Sequence, residues 1–112
     1  MTQPVTGSFA ATGQSAPFKP VMRTMAWGQF NVFLTGTAVA TVQLERSYDG
    51  GTTWCVTSVA TSTSPIQTNK WAYDSGALAN QSSVIEEPEP GVIYRLSCTS
   101  YTSGALNYRI SQ

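Results

Sequence analysis

The sequence has 112 residues, 41% of them hydrophobic, which sets the expectation of one domain with a real core and excludes a disordered chain. Charged residues make up only 11%, against ~25% in a usual soluble domain, and six basic side chains balance six acidic ones. Zero net charge gives little steering toward nucleic acid or anionic lipid, and the lack of histidine excludes the Ser-His-Asp and Cys-His nucleophiles and the common zinc sets.

Met1 to Ser8 carries neither a basic stretch nor an apolar segment, so no secretion signal is expected. Residues 1–20 are rich in Gly, Ala, Ser, Thr and Pro. A short strand is expected around Ser8–Thr12, followed by an extended segment, Pro17-Phe18-Lys19-Pro20, whose prolines disfavour helix. Two readings stand for this region: an edge strand of the same domain, or an arm that docks onto a neighbouring subunit. Residues 21–112 then form a single domain.

From Trp27 onward the pattern is period two. Phe30, Val32 and Leu34 alternate with Asn31 and Thr35, with Phe33 breaking the alternation by placing an aromatic on the outer face. Gly36 turns the chain. Ala38, Ala40, Val42 and Leu44 then face one way, and Thr41, Gln43 and Glu45 the other. This strand runs into Ser47-Tyr48-Asp49-Gly50-Gly51-Thr52-Thr53-Trp54, where Asp49 accepts from backbone N–H groups ahead of it and the two glycines supply positive φ. Trp54, which can lay its ring over the turn, is expected to open the return strand with Val56 and Val59. Cys55 and Cys98 could pair across two sheets, and without an export signal free, buried thiols are the expectation.

Ala60 to Pro65 reads as a polar loop and Ile66 to Tyr73 as another strand, with Trp71 and Tyr73 on one face. Asp74-Ser75-Gly76 is a turn, and Ala77 to Ser82 a connector. Val84-Ile85 begins a short strand ending in Glu86-Glu87-Pro88-Glu89-Pro90-Gly91, an acidic, proline-stiffened loop. Its carboxylates are held apart by prolines, which argues for a solvated loop over a calcium site. Tyr94, Leu96 and Cys98 alternate with Arg95, Ser97 and Thr99. Thr102-Ser103-Gly104 is expected to turn this strand into a second hairpin, returning through Leu106, Tyr108 and Ile110 against Asn107 and Arg109.

Short strands without helical periodicity give an all-β chain. The expected architecture is an antiparallel β-sandwich, jelly-roll or Ig-like, of about seven or eight strands, with a small β-barrel as second choice. No catalytic residue, metal site or cofactor is expected. No run of ~18 apolar residues is present that would make a membrane helix, and the singly scattered cations argue against nucleic acid.

Ser47, Asp49, Gly51, Thr53 and Trp54 match all five specified positions of the Asp-box pattern, Ser-x-Asp-x-Gly-x-Thr-Trp. The motif resembles the surface hairpins of sialidases and several secreted β proteins, where it is a folding unit away from the catalytic centre. One copy in 112 residues does not make a propeller, so a structural role is expected for it.

The run from Phe30 to Trp54, with Leu44-Glu45-Arg46 leading into the turn, and the segment Glu86 to Leu96 resemble the small virion proteins of tailed bacteriophages and prophages. Together they cover roughly a third of the chain. The resemblance implies a non-enzymatic capsid decoration, or cement, protein that stabilises the phage head by non-covalent contacts. Its partners would be the major capsid protein and copies of itself, as dimer or trimer, with no nucleic acid and no membrane. Its place would be the capsid surface, after synthesis in the host cytoplasm. Phe9, Phe18, Lys19, Trp71 and Tyr73 are the candidate partner contacts. The alternative reading is a tail-fibre or baseplate adhesion module binding a host glycan.

Overall fold

A computed structural model describes residues 3–21, 28–37, 39–61 and 81–112. Trp27, Ala38, the expected loop beyond residue 61, the strand Ile66–Tyr73 with Trp71 and Tyr73, and the turn at Asp74 lie outside the described residues. The described residues form eight strands and no helix: β1 Val5–Phe9, β2 Gly13–Gln14, β3 Phe30–Gly36, β4 Val39–Ser47, β5 Cys55–Thr61, β6 Gln81–Ile85, β7 Ile93–Ser103 and β8 Leu106–Ser111. They make two four-stranded sheets, in the orders β1-β8-β3-β6 and β2-β7-β4-β5.

These orders come from one operation. Strand β1 pairs β8, β2 pairs β7, β3 pairs β6 and β4 pairs β5, all antiparallel. The chain is thus a single long two-stranded ribbon, bent back on itself at the β4–β5 turn. Rolling the ribbon brings β3 against β8 and β4 against β7, closing the two sheets. This is the jelly-roll topology. Ser47–Trp54 is the tip of the ribbon, and every other pairing lies further down its two arms.

The alternation read from the sequence fills the core. Phe30, Val32, Leu34, Ala40, Val42, Leu44, Tyr94, Leu96, Cys98, Leu106 and Ile110 are all buried between the sheets. Phe33 faces outward, as its break in the alternation predicts. Phe18, Phe30 and Tyr94 pack as an aromatic group, with ring centroids 5.3 and 4.6 Å apart, in the tilted arrangements that aromatic quadrupoles favour.

Several expectations are corrected. The β7–β8 connection is no hairpin: the two strands belong to different sheets, and the chain arches across the core between them. Pairing with β4 shifts register twice, leaving Thr99 and Thr102 of β7 without opposite residues, and such bulges bend a strand. Gly104 (φ 87°) then makes the corner, with the Tyr101 hydroxyl donating to its carbonyl. The β3–β4 connection is a second arch lying against the first. A Cβ on Gly36 (φ 123°) would sit 2.1 Å from the Ala105 carbonyl oxygen, which accepts from Thr37 N–H at 2.9 Å. Only a residue without a side chain fits where these backbones meet.

Residues 3–20 are part of the body. Strand β1 is Val5–Phe9, upstream of the expected Ser8–Thr12, and continues one edge of the first sheet. Beyond β2, Ser15 N–H donates to Leu96 O at 2.8 Å, and Phe18 and Tyr94 exchange backbone hydrogen bonds of 2.7 and 2.8 Å. Phe9 is 6% exposed and Phe18 1%. Neither is available to a partner, which corrects their reading as contact residues; they fill this chain's own core.

Strand β5 departs from the pattern as well. Its register shifts between Leu44 and Glu45, leaving Thr57 unpaired, with its hydroxyl donating to Leu44 O at 3.1 Å. The bulge resets the alternation, and Val56, expected in the return strand, is 53% exposed there. Cys55 is exposed rather than buried, Cys98 is buried, and both are free.

Candidate functional site

The Asp-box residues assemble as one unit at the ribbon tip. Ser47, fully buried, donates its hydroxyl hydrogen to Asp49 Oδ1 at 2.7 Å and accepts from Gly51 N–H at 3.0 Å. Asp49 Oδ1 also accepts the N–H groups of Thr52 and Thr53 at 3.1 and 2.8 Å. Gly50 (φ 75°) and Gly51 (φ 102°) occupy the left-handed region that the reversal requires. The hydrogen bonds from Thr53 N–H and Ser47, with those from the rest of the turn, lower the Asp49 carboxyl to about 2. All its accepted bonds are spent on the turn, and the carboxylate is a fold element.

Trp54 completes the tip. Its ring lies against Gly51, and the Arg95 guanidinium stacks over it at 4.2 Å from the ring centroid. Arg95 Nε also donates to Glu45 Oε1 at 2.7 Å. Glu45 was read as sitting on a polar strand face; it is 7% exposed, under this stacked arginine and beside the Gln43 amide.

A second polar cluster closes the core just inside the tip; residues 86 and 88–91 are exposed, as a solvated loop should be, and the reading is corrected at Glu87 alone. Glu87 is 1% exposed. Its Oε1 accepts from Arg46 Nε at 2.9 Å and Tyr94 Oη at 2.7 Å, and its Oε2 from Glu89 N–H at 2.9 Å. Burial alone pushes the Glu87 carboxyl up; the bonds from Tyr94, Glu89 N–H and Arg46 outweigh it and hold the group below its usual range. Burial and the Glu87 hydrogen bond push the Tyr94 phenol well above its ordinary value. One sequence signal pointed here. Arg46 falls in phase with Ala40, Val42 and Leu44, so a cation on the core-facing side of β4 demanded a buried anion.

Over this cluster lies an open cleft of about 310 Å³, lined by Arg46, Tyr48, Cys55, Glu89 and Val92. Tyr48 is 69% exposed at its rim. Among the described residues no group of three or more Cys, Asp and Glu stands close enough to hold a metal ion.

The other candidate surface is the outer face of the β1-β8-β3-β6 sheet. Phe33 on β3 and Val84 on β6 are 38% and 67% exposed. Phe33 stands opposite Ser82, and Asn31 opposite Val84, so the two apolar side chains are diagonal neighbours. Asn31, Thr35, Ser82 and Asn107 surround them, and Arg109, opposite Phe33, is the charged residue on this face of the described strands.

Of the expected partner contacts, Phe9 and Phe18 are core, Lys19 is exposed beside Phe18, and Trp71 and Tyr73 lie outside the described residues. Sequence reasoning placed Phe33 outward without naming it among the partner contacts, and it did not single out Val84. No protein-family model, curated protein or solved structure matches this chain.

Proposed function

We propose that this chain is a structural protein that works by adhesion, a decoration protein of a phage head that binds the major capsid protein through non-covalent contacts. The observation that carries the reading is the Phe33–Val84 face: two exposed apolar side chains on a sheet of short Ser, Thr and Asn side chains with a single arginine. Such a surface has little charge to desolvate when laid on another protein, and interface cores are likewise depleted in charged residues. The resemblance of Phe30–Trp54 and Glu86–Leu96 to small virion proteins supports the same reading. The jelly roll recurs in viral capsid and lectin domains, which supports it by analogy of fold only. Zero net charge suits copies packed side by side on a lattice, where many weak contacts sum to a strong one. Electron microscopy of intact particles tests the reading: density for this chain on the head surface is expected, and its absence from the head would overturn it.

The cleft favours a second reading, an adhesion module for a host glycan. An exposed tyrosine ring beside one guanidinium and one carboxylate is the chemistry that stacks on a sugar and hydrogen-bonds its hydroxyls. A glycan array separates the two, since a decoration protein binds no sugar and a Tyr48-dependent signal would favour the adhesin.

A further inference from the structure

The β1-β8-β3-β6 sheet ends in β1, and a sheet edge carries a row of backbone donors and acceptors that water or another strand must satisfy. Strands β5 and β6 adjoin residues 62–80, outside the described set, which leaves two edges to compare. Strand β2 has the usual protection: it is two residues long and leads into Pro17 and Pro20. Strand β1 has none. Val5-Thr6-Gly7-Ser8-Phe9 contains no charge and no proline, and it pairs with β8 over five residues without a bulge.

The composition and exposure of β1 fit it for pairing. Thr6, Gly7 and Ser8 are exposed, and for Gly7 that exposure is backbone. Tyr108 fills the space a Gly7 side chain would need, its hydroxyl 2.5 Å from where a Cβ would stand, and its ring packs 4.9 Å from that of Phe9. The glycine lets the tyrosine hold β1 straight while leaving the strand's edge bare, an arrangement known to rescue edge glycines.

We propose that β1 docks against β1 of a second copy of this chain, the two strands pairing antiparallel about a two-fold axis at Gly7. Centring on Gly7 uses all five residues. It sets Thr6 opposite Ser8 of the partner subunit, hydroxyl against hydroxyl on the exposed face, while Val5 and Phe9 take part through their backbone, the Phe9 ring staying in its own core. The strand is self-complementary in this sense, as an isologous contact must be. Zero net charge removes the repulsion that would keep two copies apart. The two sheets then become one eight-stranded sheet carrying two Phe33–Val84 faces on the same side. The pairing depends only on β1, and it stands whether or not the chain binds a capsid.

Sedimentation equilibrium of the full chain over a concentration series tests it. The wild type is expected to approach twice the mass of one chain. Thr6→Lys with Ser8→Lys sets like charges across the axis and is expected to weaken association about tenfold or more. Thr6→Lys with Ser8→Glu sets opposite charges across it and is expected to restore association. Both pairs of changes fall on exposed side chains and set the same lysine opposite this chain's own Arg109, so comparing them isolates the contact between copies, and an unchanged circular-dichroism spectrum verifies the fold. A wild type monomeric at every concentration would overturn the proposal. So would a dimer that ignores the Lys pair, or one that the Lys–Glu pair fails to restore.

Discussion

Three side chains, Ser47, Asp49 and Glu87, each hold several donors at once, and each should therefore cost more to change than an ordinary polar residue. Ser47→Ala leaves Gly51 N–H without its acceptor at a fully buried position. The expected loss is about 1–3 kcal/mol, read from the denaturant midpoint with an unchanged slope. Asp49 contributes through its ionised form. Its folded value of about 2 lies below the ordinary 3.8, so its contribution is complete above the ordinary value and fades as pH falls toward 2. The melting-temperature gap between wild type and Asp49→Asn should be wide at neutral pH and narrow over that interval. Glu87→Gln puts an amide NH₂ where a carboxylate oxygen stood. Whichever way the amide turns, a donor faces either Arg46 and Tyr94 or Glu89 N–H. A loss of about 2–3 kcal/mol is expected, below the range for breaking a fully buried pair because the Arg46 side chain keeps 40% exposure. Glu87 titrates below its usual range, so its stabilisation is also present at neutral pH and lost on acidification; the variant should lose less stability than wild type as pH drops.

At the scale of elements, the ribbon explains what was legible beforehand and what was not. The β4–β5 tip was readable because its turn chemistry is local: every hydrogen bond that shapes it spans four residues or fewer. Faces were readable wherever the period of two holds, as along β4 to Leu44 and in β3, where Phe33 keeps the outward phase although it is apolar. Which strands pair was not readable, since β1 meets β8 and β2 meets β7 across nearly the whole chain, and no local pattern encodes such partners. The turn signal at Gly104 was genuine, but a corner between sheets and a hairpin within one use the same residues. Bulges at Thr57, Thr99 and Thr102 likewise escape a period-two reading, because an inserted residue reverses every face beyond it. The proline-bounded segment around Phe18 read either as an edge of the same domain or as an arm, and it follows the side of β7 away from β4 and drives the Phe18 ring into the core. Removing residues 1–20 deletes two edge strands and two buried phenylalanines, each worth about 3–5 kcal/mol, against a total stability of about 5–15 kcal/mol for a domain. The truncated chain is expected to be unfolded by circular dichroism, and a cooperative melt from it would contradict this placement.

At the scale of the molecule, the described charged clusters gather at the ribbon tip and the paired exposed apolar side chains lie on one sheet face. The ribbon tip, the Arg46–Glu87–Tyr94 cluster and the Trp54–Arg95–Glu45 stack satisfy their charges internally, and on the proposed reading the Phe33–Val84 face is the surface that meets a partner. That division of labour fits a protein whose work is contact. It also predicts where damage falls: changes at the tip should lower stability and leave binding per folded molecule unchanged, and changes at Phe33 and Val84 should do the reverse. Both apolar residues are surface positions, so replacing them with glutamate should shift stability by no more than about 0.5 kcal/mol. The most direct measurement is co-sedimentation of purified chain with phage heads that lack it, comparing wild type with Phe33→Glu/Val84→Glu and with Ser47→Ala. Wild type and Ser47→Ala are expected to occupy the heads equally, with the double glutamate variant folded but left in the supernatant. Equal occupancy by the double glutamate variant, or no occupancy by the wild type, would contradict the account.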